Sequence, residues 1–286
     1  MAAQALSTHC LRAILLNMVL VSSLTTAVAE VDHSKMKLVL DETFDRPLDL
    51  RRWHVGTDGR GRQWGSDSYF VTEKDPQFGE TYVVSDGVLR IRATYDPSFS
   101  DPNRWGRHWY SGEISTVFPR ASGKDVAMRR GYIDARMKLP AGAGIWCALW
   151  GQNLAYFKGD KTKGHVEIDG FEHYGALPHK ISTTVHDWSD PAFPGRKPGK
   201  SLAENNSLPD LSEDFHVYGV LVGKDTVVTY IDGVRANVAA IAQEGIDKFA
   251  WTIDLAIGGG WPVAASPTHN YELDISSVKI WSADSD

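Results

Sequence analysis

The sequence has 286 residues, a formal net charge of −6 at pH 7 and two cysteines. An acidic chain of this kind is not a binder of nucleic-acid phosphates, which takes a basic surface. Two cysteines exclude a scaffold held together by several disulfides.

In chain order, residues 1–29 read as an export signal. Arg12 supplies the positive end, residues 13–24 are mostly apolar with Asn17 as the main interruption, and Ala27-Val28-Ala29 is a small-x-small cleavage site. The apolar run is shorter than the ~20 residues that a membrane span needs. Cleavage before Glu30 leaves residues 30–286, secreted or periplasmic, with Cys147 as the one cysteine; that length fits a single domain of the larger all-β type as well as two small ones. Cys147 lies in the apolar run Ile145-Trp146-Cys147-Ala148-Leu149-Trp150 and reads as a small buried hydrophobe. Helical periodicity is nearly absent from the rest. Short β-rich runs recur between Gly, Pro, Asp and Asn, the pattern of a sandwich. Residues 83–92 hold Asp86-Gly87 between two strand-like runs, a hairpin signal. Residues 131–139 alternate apolar and polar and stop at Pro140. Residues 189–209, rich in Pro, Gly and polar side chains, predict a long surface loop at the rim of a cleft. Residues 226–231 run into Asp232-Gly233, a second hairpin signal, and residues 238–248 are the most helix-like segment. Residues 273–281 predict a terminal strand.

The chemistry concentrates in Gly164-His165-Val166-Glu167-Ile168-Asp169-Gly170-Phe171-Glu172-His173-Tyr174-Gly175. In a strand, residues two apart share a face, so Glu167 and Asp169 point the same way. Glu172, five positions after Glu167, falls on the other face unless one extra residue bulges out, and Gly170 is the natural place. With that bulge all three acids enter one cleft. Crowded carboxylates raise one another's pKa. A general acid needs a raised pKa and a nucleophile needs to stay ionised, so three neighbouring acids can divide those roles. An exposed acidic strand and a calcium site are the competing readings. Ile168 and Phe171 want burial, which disfavours the first, and calcium loops are irregular and Asp/Asn/Gly-rich, which disfavours the second.

Ten tryptophans and ten tyrosines supply rings for the core or for sugar platforms. Trp146, Ala148 and Trp150 alternate onto one face, where either indole stacks on a sugar or joins the core. Trp261, in a Gly-rich loop, reads as a cleft wall. Trp105 and Trp109 flank Arg107 and His108 in another loop and read as candidates for a distal subsite.

The acidic segment resembles the active-site strand of glycoside hydrolase family 16 in its bulged form, E-x-D-x-x-E. The resemblance spans nearly all of residues 30–286. It includes Leu38-Val39-Leu40-Asp41-Glu42-Thr43-Phe44-Asp45 with Trp53, the run from Gly131 to Pro140, Gly144-Ile145-Trp146 and Leu149-Trp150, and Thr184-Val185-His186. Phe215-His216-Val217-Tyr218, Tyr230-Ile231-Asp232-Gly233 and Leu255-Ala256-Ile257-Gly258-Gly259-Gly260-Trp261-Pro262 follow in family order. It implies an all-β jelly roll of two packed antiparallel sheets with a concave substrate cleft. It also implies retention by double displacement, with Glu167 as nucleophile, Glu172 as acid/base and Asp169 hydrogen-bonded to the nucleophile. A retaining pair places its carboxyl groups ~5–5.5 Å apart. His186 is expected on the neighbouring strand, beside the acids or as an ordinary hydrogen-bonding residue. The implied substrate is a polysaccharide: β-1,3 or mixed β-1,3-1,4 glucan, or a bacterial exopolysaccharide.

The chain departs from the family at several points. Glu113 stands where many β-1,3-glucanases carry arginine, residues 64–69 lack the usual Asn and Glu of the early cleft loop, and Val222 replaces a common Trp. Thr43 and Ser276 occupy the places of a structural calcium's acids, so that metal is not expected, although Glu42 and Asp274 stand close enough to keep it possible; no cofactor is required. The expected protein is a monomer with no membrane attachment after signal removal. A wall-remodelling transglycosylase and a non-catalytic carbohydrate-binding jelly roll are the alternatives. Intact acids speak against the second.

Overall fold

The computed structural model describes residues 31–56, 66–118, 125–160, 162–190, 199–242, 244, 246–259 and 265–284. The expected export signal lies outside them. In chain order the elements are β1 (Lys37–Glu42), β2 (His54–Val55), β3 (Ser68–Phe70), α1 (Phe78–Thr81), β4 (Tyr82–Ser85), β5 (Val88–Tyr95), β6 (Trp109–Ser111), β7 (Glu113–Ser115), β8 (Ala127–Met128) and β9 (Gly131–Lys138). They continue with β10 (Ile145–Asn153), α2 (Leu154–Phe157), β11 (Val166–Tyr174), β12 (Ile181–Asp187), β13 (Gly199–Asn205), β14 (His216–Val222), β15 (Thr226–Ile231), β16 (Val234–Ala240), β17 (Phe249–Ile257) and β18 (Tyr271–Ser282). No helix among the described residues is long and apolar enough to cross a membrane.

The strands form two layers. A back sheet runs β16-β15-β14-β9-β18-β5-β6-β3, with β1 added on β18 and β4 on β5. A cleft sheet runs β13-β12-β11-β10-β17-β7-β2, with β8 on β17. Pairing is antiparallel apart from β3 on β6. This is a sandwich, as the short strands and turn signals imply, and a jelly roll, as the family resemblance implies.

Local sequence sets the registers. Asp86 (φ 54°) with Gly87 (φ 70°) and Asp232 (φ 50°) with Gly233 (φ 75°) adopt the left-handed backbone of tight two-residue hairpin turns, which Asp-Gly tolerates best. The second turn brings Ile231 opposite Val234. Along β5, Leu89, Ile91 and Ala93 are fully buried, while Arg90 and Arg92 face outward to Asp274 and Glu272 of β18 at 3.5 and 2.6 Å. That alternation marks a sheet with one wet face. β17 differs, because every one of its residues is buried. One face feeds the core with Ile253 and Leu255, and the other forms the cleft floor. Between the layers, the Phe171 ring lies 4.7 Å from Tyr218. Burying such aromatics dominates the core, and truncating one costs ~3–5 kcal/mol. Cys147 is fully buried, and burial pushes its thiol well above the ordinary range, as suits a small hydrophobe.

Two expectations are corrected here. The described residues within 238–248 are not helical. Val234–Ala240 is strand β16, with Asn237 and Ala239 turned inward and Val234 and Val238 outward, so edge pairing with β15 overrides local helix preference. The expected loop at 189–209 contains the edge strand β13, paired to β12 from Ile181↔Asn205 through Asp187↔Gly199. Residues 191–198 of that loop lie outside the described residues.

Candidate active site

β11 carries the acids, and its register explains how. Against β10, Gln152 pairs with Glu167, Gly151 with Ile168, Trp150 with Asp169, and then Leu149 with Phe171. Gly170 is skipped. On the other side Asp169 pairs with Thr184 and Glu172 with Ser182, so two residues face one. This is a β-bulge, and it inverts the alternation. Val166 and Ile168 point into the core before it, and Phe171 and His173 after it. Glu167, Asp169 and Glu172 are thereby left on the cleft face. Glycine is required by space: a Cβ at Gly170 would stand 2.5 Å from Val220 Cγ2 and 2.9 Å from the Leu149 carbonyl oxygen.

The three acids line one cavity of about 290 Å³ with Trp146, Ala148, Trp150, His186, Trp188 and Asp254. Each carboxyl has its own partner. The Trp146 indole N–H donates to Glu172 Oε1 at 3.1 Å. The Gln152 amide donates to Glu167 Oε2. His186 Nε2 meets Asp169 Oδ2 at 3.3 Å. The Trp150 indole N–H donates to Asp254 Oδ1 at 2.7 Å. The Trp188 ring stacks on His186 with centroids 4.5 Å apart and planes 11° apart, and Tyr174 lies parallel to Trp146.

Electrostatics separate these carboxyls. Burial raises Asp169 to about 7 against the opposing hydrogen bond from His186. Burial also raises Glu172, against the Trp146 indole. Asp254, in the cleft floor, is pushed up to about 8 by burial, with the charges of Glu172 and Asp169 adding to it. Burial opposes a charged His186, but its hydrogen bond to Asp169 and the surrounding carboxylates outweigh this and raise its pKa. The cluster therefore holds protons near neutral pH, the condition for a carboxyl that donates one. Among the described residues, Glu167, Asp169 and His186 form the group whose ligand atoms lie close enough, within 4.8 Å, to hold a metal. The two acids near the calcium position weighed from sequence have protein partners among the described residues. Glu42 caps the Thr43 and Phe44 amides and accepts the Trp53 indole, while Asp274 pairs with Arg90.

Glu167, Asp169, Glu172, Trp146, Trp150 and His186 are thus brought together, but Trp109 is not. It lies in strand β6 at 8% exposure, edge-on to Tyr95 at 5.4 Å, in the hydrophobic core. The loop expected around it is a buried strand, and Trp109 is corrected to a core residue. Trp105 is exposed, with the Arg107 guanidinium 4.9 Å from its ring and held in turn by both oxygens of Asp101. Trp261 lies outside the described residues. Asp254, Gln152 and Trp188 were missed. Each left a trace: Asp254 is the lone acid in an apolar run, Gln152 continues the Trp146–Ala148–Trp150 alternation, and Trp188 sits two residues beyond His186.

Several carboxyls converging on the cleft of a jelly roll define the class, a glycoside hydrolase. Residues 108–276 match the model for glycosyl hydrolases family 16, and the chain belongs to that family. It is 31% identical over 214 residues to glucan endo-1,3-beta-glucosidase A1 of Niallia circulans, covering 69% of this chain and 28% of that protein. It is 29% identical over 273 residues to endo-1,3-1,4-beta-glycanase EglC of Rhizobium meliloti (strain 1021), covering 87% of this chain and 53% of that protein. The chain thus spans about half or less of the length of these relatives. The laminarinase catalytic domain from Thermotoga maritima MSB8 has a similar structure, with a TM-score of 0.68 and 25% identity over 88% of this chain and 99% of that one.

Proposed function

We propose that this protein is an exported, retaining endo-hydrolase of β-1,3 or mixed β-1,3-1,4 glucan. The observation that carries the reading is the bulge at Gly170, which turns Glu172 onto the face of Glu167. In the proposed reaction Glu167 attacks the anomeric carbon while Glu172 gives its proton to the departing glycosidic oxygen. The resulting glycosyl ester on Glu167 is then hydrolysed by water that loses its proton to Glu172. The raised pKa of Glu172 suits the first step, and the Trp146 indole holds its carboxyl in place. Gln152 orients Glu167. Trp188, half exposed on the rim, offers a flat face to a sugar ring. The names of the relatives support the substrate class, and residues 1–29 support export.

The test is digestion of laminarin, mixed-linkage glucan and an acidic exopolysaccharide. It follows viscosity, reducing ends and the anomer of the first product. Early loss of viscosity on a β-glucan, with a retained anomer, is expected. Release of mono- or disaccharide at constant viscosity, or an inverted product, overturns the reading. Cleavage of the exopolysaccharide alone moves the substrate to that class, and longer products formed at the expense of hydrolysis identify a transglycosylase.

A further inference from the structure

The bulge that turns Glu172 has a cost in backbone hydrogen bonding, since Gly170 is skipped in the pairing with β10. Its carbonyl oxygen points into the sandwich. Two threonines meet it. Thr229 Oγ1 donates to the Gly170 oxygen at 2.6 Å, and Thr183 Oγ1 lies 3.1 Å from the same atom. The two hydroxyls are 2.9 Å apart, and the Asn237 amide donates to Thr183 Oγ1 at 3.1 Å and to the Ala203 carbonyl at 3.3 Å. Each hydroxyl has one hydrogen to give: Thr229 donates to the Gly170 carbonyl, and Thr183, accepting from the Asn237 amide, donates either to the same carbonyl or to Thr229. Both threonines are fully buried and Asn237 nearly so.

Thr183 belongs to β12 beside the bulge, but Thr229 and Asn237 come from β15 and β16 of the opposite sheet. Thr229 occupies an inward position between Val227 and Ile231, where valine has the same shape. A buried hydroxyl there is unfavourable unless it is hydrogen-bonded, so its partner at the bulge accounts for its presence. From these contacts we infer that Thr229, supported by Thr183 and Asn237, is a positioning residue that locks the bulged register and so aims the Glu172 carboxyl from across the sandwich. None of the three touches the cleft. The inference rests on the proposed role of Glu172 as acid/base.

The experiment compares Thr229→Val, Thr183→Val and Thr229→Ser with the unaltered protein on a soluble β-glucan. Loss of the hydroxyl in Thr229→Val is expected to lower kcat on the order of 10- to 100-fold, the scale of a small misplacement of a reacting group, with KM nearly unchanged. The alkaline limb of the pH–rate profile should shift, because Glu172 then sits in a different environment. Thr229→Ser should restore both. A Thr229→Val protein with kcat within about twofold of the unaltered one, whatever its melting temperature, overturns the inference. If Thr229→Val does not fold, Thr183→Val is read by the same criteria. Glu172→Gln is the control. Substantial activity in it breaks the functional reading itself, whereas an inert Glu172→Gln beside a fully active Thr229→Val breaks the inference alone.

Discussion

His186 Nε2 lies 3.3 Å from Asp169 Oδ2 on the adjacent strand, where register sets His186 directly opposite Glu167. The imidazole therefore contacts the middle acid while standing across from the first. Asp169 is fully within the sheet, between two glutamates, and burial raises it to about 7. Its place suits tuning of the neighbours. Asp169 is buried, whereas Glu167 and Glu172 are partly exposed.

The first prediction follows from that division. Glu167→Gln and Glu172→Gln each abolish turnover with the fold intact, whereas Asp169→Asn lowers kcat by less than either. Added azide should reactivate Glu172→Gln on a substrate with a good leaving group, because the anion attacks the glycosyl ester without help from a base and releases Glu167 and a glycosyl azide. Equal loss in all three variants would show that Asp169 itself moves a proton or holds a metal.

A second prediction concerns pH and stability. Asp254 titrates at about 8 in the folded chain, and an unfolded aspartate titrates at about 3.9. Between those values the folded state binds the extra proton, so stability falls as pH rises through this window. Asp169, raised to about 7, acts in the same direction. Asp254→Asn keeps an acceptor for the Trp150 indole and removes the titration. Its melting temperature should fall less than that of the unaltered protein between about pH 5 and about pH 8. Parallel melting curves for the two proteins would refute the assignment.

Trp188 and Trp109 make a contrasting pair. Trp188 is 53% exposed above His186, and Trp109 is 8% exposed against Tyr95. Loss of one stacked sugar is worth roughly 0.5–1.5 kcal/mol, so Trp188→Ala should raise KM by about 2- to 12-fold at nearly constant stability. Trp109→Ala should instead lose about 3–5 kcal/mol of stability and leave KM alone. The measurements are steady-state kinetics and denaturant unfolding, and the reverse pattern would exchange their roles.

These differences show what a sequence carries. Asp86-Gly87 and Asp232-Gly233 declare their hairpins locally, because few residues adopt that backbone. The bulge at Gly170 is legible because three acids must share a face and strand alternation forbids it otherwise. Asp254 was hidden, since nothing near it in sequence says that β17 lies against β10 and pairs it with Ala148. Trp109 and Trp146 look alike on the page, and only the strand that shields one of them tells core from cleft. Residues 238–248 carry Ala, Gln and Glu, which favour helix, and pairing along β15 decided their first part instead.

The bulge also behaves as an insertion of one residue. Remove Gly170, and Glu167, Ile168, Asp169, Phe171 and Glu172 become an unbroken alternation, with every side chain still on its present face. On both neighbours the pairing closes without a gap: Phe171 follows Asp169 opposite Leu149, and Thr183 gains the partner it lacks. Length and polarity are therefore coupled across the sandwich. A chain shortened by that residue has no stray carbonyl for Thr229 to meet, and valine becomes the better tenant at 229. The deletion should accordingly be tolerated better with Thr229→Val than without it. Melting temperatures of the two shortened proteins, measured against each other, decide whether the indel and the hydroxyl are bound together in this way.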